Sequence, residues 1–269
     1  MSPAITQPEP ASRTAGPGPL RLGITVAASY EAMSQQAADL IVAELTQRPN
    51  LLCCVSAGST PTRTYELLAA RRAKQPALFE RLRVLKIDEW GGLALDDPVT
   101  CEAYVQEKVV KPLAISEDRY EGFCSRPADP RAECERIRHW LARHGPIDVC
   151  VLGLGGNGHL ALNEPADCLQ PHAHVSALAE SSLEHPMLRS GTGKPAYGLT
   201  LGMADILRAR LPLLLVSGSQ KRGPLRRLVE PAIEPRFPAS FLWLHPNAVI
   251  LCDREAAAGL DPAAYGTVG

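Results

Sequence analysis

Apolar runs of strand length alternate along the chain with stretches whose apolar residues recur at helical spacing, the pattern of a parallel sheet covered by helices. The spacing predicts strands over 22–26 (LGITV), 51–58 (LLCCVSAG), 82–90 (LRVLKIDEW), 147–155 (IDVCVLGLG), 196–202 (AYGLTLG), 211–218 (LPLLLVSG) and 248–253 (AVILCD). Helices are predicted over 30–45, 61–73, 100–110, 131–144 and 220–229, with a short one after 202. Four of the strands run into polar or glycine-rich ends, at 55–60, 87–92, 151–159 and 216–221. Ligands of open parallel sheets bind outside the carboxyl ends of the strands, so these four loops are expected to converge on one edge.

Length and composition bound the rest. With 269 residues, 45% hydrophobic and 21% charged, the chain suits a single α/β domain, placed at 21–260. Residues 1–20 are rich in Pro, Ser, Ala and Gly and lack the basic and apolar regions of a signal peptide; they are expected to form a disordered tail, with a second short tail over 261–269. No apolar run approaches the roughly 18–20 residues that span a bilayer. A net charge of −1 gives no reservoir of positive potential for a polyanion, so neither nucleic acid nor membrane is an expected partner. A small anion needs only a local site, and self-association is left open. The eight cysteines are scattered, with no C-x-x-C pair and no zinc-site spacing, which fits a soluble cytoplasmic protein with reduced thiols.

Each loop carries candidate chemistry. In SAGSTP, Gly58, Ser59 and Thr60 lie between a buried strand and a helix, where unpaired N–H groups and small residues suit a phosphate; a helix start capped by Ser59 or Thr60, with Pro61 first inside it, explains the same residues. In KIDEWGGL, Asp88 and Glu89 end a strand and point to opposite faces, so one of them can serve as a base while the other cannot serve the same substrate in the same way. In SGSQKRG, Lys221 or Arg222 can meet a phosphate, or both belong to a solvated basic helix face. His245 and Asp253 are weaker candidates and are expected to serve structure.

The fourth loop, GLGGNGHLALNEP, matches G-x-G-x-x-G through Gly153, Gly155 and Gly158. A dinucleotide fingerprint opens a long helix after its third glycine, and Asn163, Glu164 and Pro165 leave no room for one. The glycines are better suited to bringing the backbone close to a ligand and projecting His159. His159 and Glu164 can pair as an acid–base couple; a metal is disfavoured because the H-E-x-x-H spacing and a third ligand are missing.

Taken in order, SAGSTP, KIDEWGGL, GLGGNGHLALNEP, YGLTLGMADIL and SGSQK followed by PASFLWLHPNAVILCD resemble, over roughly 22–257, the glucosamine-6-phosphate deaminase and galactosamine-6-phosphate isomerase family. The resemblance implies a Rossmann-like parallel α/β sheet with helices on both faces that binds no dinucleotide. It implies conversion of a 2-amino-2-deoxyhexose 6-phosphate and water to a ketose 6-phosphate and ammonia, with no cofactor and no metal. It would make Asp88 the base that shuttles a proton between C2 and C1, and His159 the group that opens the ring at O5, held by Glu164. Gly58, Ser59, Thr60 and Lys221 would grip the 6-phosphate. A 6-phosphogluconolactonase shares the fold but needs no shuttle at C2 and lacks the NEP residues; a sensing module would be expected to carry a DNA-binding domain or to have lost a catalytic residue.

Two departures from the deaminase pattern stand out. Asn157 replaces an aspartate that many glucosamine-6-phosphate deaminases carry, and with Leu162 and Trp90 in place of aromatic and Tyr it looks more like the galactosamine-6-phosphate branch, whose product is tagatose 6-phosphate. In the segment after Glu164 the deaminases have a phosphate-binding arginine, for which Arg189 or His185 is on offer here. The basic pattern of the allosteric site of regulated deaminases is not evident around LQPHAHVSAL. Adding an N-acetylated sugar phosphate to a steady-state assay is therefore expected to leave the rate unchanged, and activation would refute this.

Overall fold

Neighbouring residues of the central strands face opposite sides of one sheet, and both sides are apolar. The computed structural model describes residues 22–191 and 193–261. The expected tails, 1–20 and all of 261–269 except Asp261, lie outside the described residues. Among the described residues ten strands form two sheets: β1 (Gly23–Ala27), β2 (Leu52–Val55), β3 (Arg83–Lys86), β4 (Asp88–Gly91), β5 (Tyr120–Glu121), β6 (Val149–Gly153), β7 (His174–Ser176), β8 (Tyr197–Thr200), β9 (Leu211–Val216) and β10 (Val249–Asp253). Along β2, Leu52 and Cys54 join one hydrophobic cluster while Cys53 and Val55 join another. In β9, Leu214 and Val216 separate from Leu213 and Leu215 in the same way. Each such leucine, fully withdrawn from water, contributes about 1.5–3 kcal/mol.

Helices cover both clusters. On one face lie α1 (Tyr30–Gln47) and α2 (Ser59–Lys74). The stripe Met33, Ala37, Ile41 and Leu45 recurs every four residues, which turns one side of α1 to the sheet. The amide of Ala32 donates to the Ser29 hydroxyl, capping that helix at 3.2 Å. On the other face lie α4 (Pro130–His144), through Cys134 and Ile137, and α5 (Arg222–Val229), through Leu225 and Leu228. Between α2 and α4 in sequence, α3 (Cys101–Val105) continues through a π-helical turn, Gln106–Val110, to Leu113.

The large sheet is parallel throughout, in the order β1-β10-β9-β6-β2-β3-β5. From β2 the chain moves outward through β3 to β5; it then returns to β6, beside β2, and moves the other way through β9 to β10. The direction of winding therefore reverses between β2 and β6, and the crevice at their carboxyl ends is where such sheets hold ligands. All four expected loops leave this edge.

Two sequence expectations are corrected. The run 82–90 is not one strand: the Ile87 N–H donates to Val55 at 3.0 Å, closing the parallel ladder, and its carbonyl accepts from the Leu201 N–H at 3.0 Å, opening an antiparallel one. β4 thus pairs with β8, and β8 with β7, in a small separate sheet, so the strand expected over 196–202 is not part of the parallel sheet either. The other correction concerns α2, which begins at Ser59 rather than Pro61. Its cap is Gly58, with φ of +127°, and neither Ser59 nor Thr60 caps it through a side chain.

The turn after β6 is held from outside. Gly158 has a φ of +91°, its carbonyl accepts from the Ala239 N–H at 2.9 Å, and an added Cβ would lie 2.1 Å from the Phe237 ring. Gly158→Ala is therefore expected to lower stability by about 1–3 kcal/mol through strain and overpacking. A urea midpoint equal to that of the wild type would show that the turn and Phe237 readjust freely.

Candidate active site

Beyond β6 the chain folds back on itself without entering a helix. The Gly155 N–H donates to the His159 carbonyl at 3.0 Å, and the imidazole lies so close over Gly155 that a Cβ there would meet it at 2.4 Å. The glycine makes room for the ring. The His159 backbone N–H donates to Asn157 Oδ1 at 3.1 Å, which fixes where the side chain starts. His159 Nδ1 then lies 3.3 Å from Glu164 Oε2, leaving Nε2 as the ring nitrogen for a ligand.

Glu164 is nearly buried and well supplied with donors. It accepts from Asn157 Nδ2 at 2.8 Å, from the Ala179 N–H at 3.4 Å and from the hydroxyl of Ser182, on the short helix Glu180–Leu183. Burial would raise its pKa, but the hydrogen bond and charge of His159 and these donors hold the carboxyl down at about 2. It is a carboxylate throughout the physiological range. Asn163 anchors the far end of the turn, its Nδ2 donating to the carbonyls of Leu160 and Leu201 at 3.0 and 2.9 Å.

Asp88 opens β4, where the strand has just left the large sheet. It is 8% exposed, and burial, reinforced by the charge of Glu89, pushes its carboxyl up to about 7 against the lowering influence of His159 and Lys86. That influence places Asp88 and the imidazole in one electrostatic neighbourhood. Glu89 points to the other side: it is fully buried and bonds Lys86 Nζ at 2.7 Å, as the alternation of strand residues requires.

The candidate anion groups divide in two. Lys221, in the turn Ser219–Lys221 before α5, donates from Nζ to the Leu154 carbonyl at 2.6 Å, at the end of β6, and burial lowers its pKa. Gly58, Ser59 and Thr60 head α2 at the end of the adjacent strand β2. His185 lies with its ring 6.0 Å from that of Trp90, and burial, then the charges of His159 and Lys221, lower its pKa. Arg189 is not brought in with them. It is exposed in the turn Pro186–Ser190 and lines, with His185, Leu188 and Lys194, a cavity of about 660 Å³ beside the crevice. Among the described residues no group of three or more His, Cys, Asp or Glu is arranged to hold a metal ion. His245 and Asp253 hold structure, His245 Nε2 against the Ala209 carbonyl at 2.8 Å and Asp253 under the Ser217 hydroxyl and the Gly218 and Ala256 N–H groups.

This arrangement, two acid–base groups and a lysine around a switch-point crevice, can be set beside known proteins. A profile described as glucosamine-6-phosphate isomerases/6-phosphogluconolactonase matches residues 25–251. The chain belongs to this family. AgaI of Escherichia coli (strain K12), named as a candidate deaminase, is 41% identical over 223 residues, which cover 83% of this chain and 88% of AgaI. The solved structure of a monomeric glucosamine-6-phosphate deaminase is 30% identical with a TM-score of 0.83, covering 88% of this chain and 99% of that one. A 6-phosphogluconolactonase from Leishmania guyanensis shares the fold at a TM-score of 0.72 and 18% identity, over 89% of this chain and 99% of that one.

Two groups in this family member escape a reading of its motifs. Ser182 reaches Glu164 and lies 3.5 Å from His159 Nδ1, yet it sits in a polar run (ESSLE) with no feature that marks one serine over the other. Lys194 enters the cavity wall from a glycine-rich stretch and is a second cation beside Arg189.

The raised Asp88 carboxyl has a cost with a definite sign. Unfolded, its pKa is about 3.9; folded, it is about 7, so the folded chain binds the proton more tightly. The penalty is absent below about pH 4, grows as pH rises and is complete above about pH 7. Asp88→Asn is expected to raise the thermal midpoint at pH 8, by a stabilisation on the order of a few kcal/mol, and to change it little at pH 4. Equal shifts at both pH values would show that the carboxyl is not held out of water.

Proposed function

We propose that this protein is an amino-sugar 6-phosphate isomerase and deaminase that prefers galactosamine 6-phosphate, converting it with water to tagatose 6-phosphate and ammonia. The observation that carries this reading is a buried Asp88 carboxyl sharing the switch-point crevice with the His159–Glu164 pair. His159 moves a proton at O5 through Nε2 and opens the pyranose ring, while the Glu164 carboxylate holds the imidazole through Nδ1. Ring opening comes first, because the C2 proton becomes acidic only beside an open-chain aldehyde. Asp88 then takes that proton and returns it to C1, which leaves an imine at C2 that water hydrolyses. A base with a pKa of about 7 is matched to proton transfer near neutral pH, accepting and returning a proton with little loss in either direction. Lys221 and the amino end of α2 hold the 6-phosphate. The reaction calls for no cofactor, and eight free thiols suit a reducing cytoplasm.

The preference for the galacto epimer rests on Asn157, Trp90 and Leu162. Trp90 and Leu162 belong to one small cluster with Ala57 and Leu188 packed against it, between the loop after β2 and the cavity segment. Asn157 fills the position beside Glu164 with a neutral donor. Glucosamine 6-phosphate, giving fructose 6-phosphate, is the second reading, favoured by the likeness to the solved deaminase.

A substrate panel separates them. Ammonia release is expected with a higher kcat/KM for galactosamine 6-phosphate than for glucosamine 6-phosphate; equal or reversed values would discard the epimer assignment, and silence on both would favour a sensing module. Asp88→Asn should abolish turnover while retaining binding, and His159→Gln should slow ring opening, so a preserved rate in either variant would remove that residue from its role.

A further inference from the structure

Behind Asp88, on the side away from the crevice, lies a buried charged cluster that the mechanism above does not use. Glu89 is fully buried and accepts four hydrogen bonds: from the N–H groups of Trp90, Cys101 and Glu102, each at 2.8 Å, and from Lys86 Nζ at 2.7 Å. Two of those N–H groups belong to the first turn of α3, so one carboxylate ties β4 to a helix start. Lys86 is equally buried, and its remaining hydrogen bonds go to Glu102 Oε2 at 2.6 Å and the Phe123 carbonyl at 2.8 Å. Glu102 is held in turn by the Tyr120 hydroxyl at 2.6 Å and by Gln106 Nε2 at 2.9 Å. Gly122 makes room for the lysine, since a Cβ there would lie 2.8 Å from Lys86 Cε.

Folding alone does not explain this cluster. Taking charges out of water costs several kcal/mol per ion, and well-packed apolar residues commonly stabilise a core as well as a buried ion pair or better. The cluster's charges do not cancel either, because one ammonium faces two carboxylates. Burial pushes the lysine's pKa down, but the charges and hydrogen bonds of Glu89 and Glu102 outweigh it, so the pKa is held above the ordinary value and the lysine stays protonated.

We propose that Glu89 is a positioning residue for Asp88: clamped by Lys86 and the start of α3, it fixes the β4 backbone that aims Asp88 into the crevice and keeps a negative charge directly behind it. Lys86, shared with Glu102, sets how much of that charge Asp88 feels. The inference rests on the reading of Asp88 as the base. Alternation along β4 supplies the aim, since holding the Glu89 side chain on one face directs its neighbour to the other. The groups whose charge reaches Asp88 are Glu89, His159 from the turn after β6 and Lys86; the Cys101 thiol, from the start of α3, hydrogen-bonds it, and Cys54 from β2 faces it as a buried neutral thiol. Of these Glu89 is the carboxylate, and it acts in the same direction as burial. A base kept protonatable near neutral pH returns its proton to C1 as readily as it takes one from C2.

The test is the pH dependence of kcat/KM for ammonia release by the full chain, with Asp88→Asn as control. Substrate ionisations are common to all variants and cancel in the comparison. In Glu89→Gln the acid limb should move down by about one pH unit, with KM changed by less than about twofold. Glutamine cannot accept from all four donors, so where this variant misfolds Glu102→Gln, which alters the cluster from its half-exposed side, decides the matter alone. With Glu102 neutral, Lys86 is left to Glu89, and the limb should move in the same direction by a smaller amount. A limb that stays in place in Glu102→Gln, or in a folded Glu89→Gln, while Asp88→Asn is inactive, overturns the inference and leaves Asp88 as the base. Turnover by Asp88→Asn overturns that prior assignment, and the inference with it.

Discussion

Ile87 gives its N–H to Val55 in the parallel sheet and its carbonyl to Leu201 in the antiparallel one, so two hydrogen-bond ladders meet in a single residue. Much of the crevice follows from that junction. The strand cannot continue in the large sheet once its carbonyl is committed to β8, and Asp88 is carried off the edge toward the neighbouring loops. The antiparallel sheet that receives β4 also brings up Leu201 and Thr200. Asn163 Nδ2 donates to Leu201, and the Leu162 N–H donates to Thr200 Oγ1 at 3.2 Å. The turn after β6 and the end of β3 are thus braced against the same strand. Asp88 and His159 keep their relation because neither can shift without disturbing β8.

Close approach is the other recurring constraint. Gly155 yields space to the His159 ring, Gly158 to Phe237, Gly122 to Lys86, and Gly91 to Tyr197, whose ring a Cβ would approach to 2.0 Å. In each case the glycine is needed by a side chain that packs on it, and only Gly158 among these four combines that demand with a left-handed φ. Two of the three glycines of the G-x-G-x-x-G match, Gly155 and Gly158, therefore serve a histidine and a phenylalanine, where a dinucleotide turn would use them for a pyrophosphate and a helix start.

How much of this was legible in the sequence depends on range. Alternating apolar runs identify the parallel strands and covering helices, and the loops at their carboxyl ends fall at one edge, because these features are set by burial and by local chain geometry. The break at Ile87 is not legible. LRVLKIDEW alternates and ends like one strand, and only the distant partner Leu201 splits it. β7 is three residues long, too short for its pattern to stand out. The fingerprint's failure as a dinucleotide turn can be seen from Asn163, Glu164 and Pro165, and His159 and Glu164 can be read as a candidate pair because they lie five residues apart. Ser182 and Lys86 cannot be found this way, since each acquires its partners through tertiary contact: Ser182 with Glu164, and Lys86 with Glu102 and Phe123.

Three carboxyl groups in and behind the crevice illustrate why residue type alone settles so little. Glu164 and Glu89 are both supplied with donors on every side, a histidine, an amide and a hydroxyl for the one, three backbone N–H groups and an ammonium for the other. Asp88, no more exposed than Glu164, has a thiol from Cys101 as its named side-chain donor and a carboxylate as its neighbour. Burial works against the charge on Glu164 and on Asp88 alike. Where donors answer it, the charge is fixed and the side chain holds other groups in place; where they do not, the proton becomes exchangeable near neutral pH. The difference between a holding carboxylate and a proton-transferring one is thus made by the count of donors that reach it, and beyond the adjacent Trp90 N–H those donors come from β3, α3, the turn after β6 and the segment 179–182.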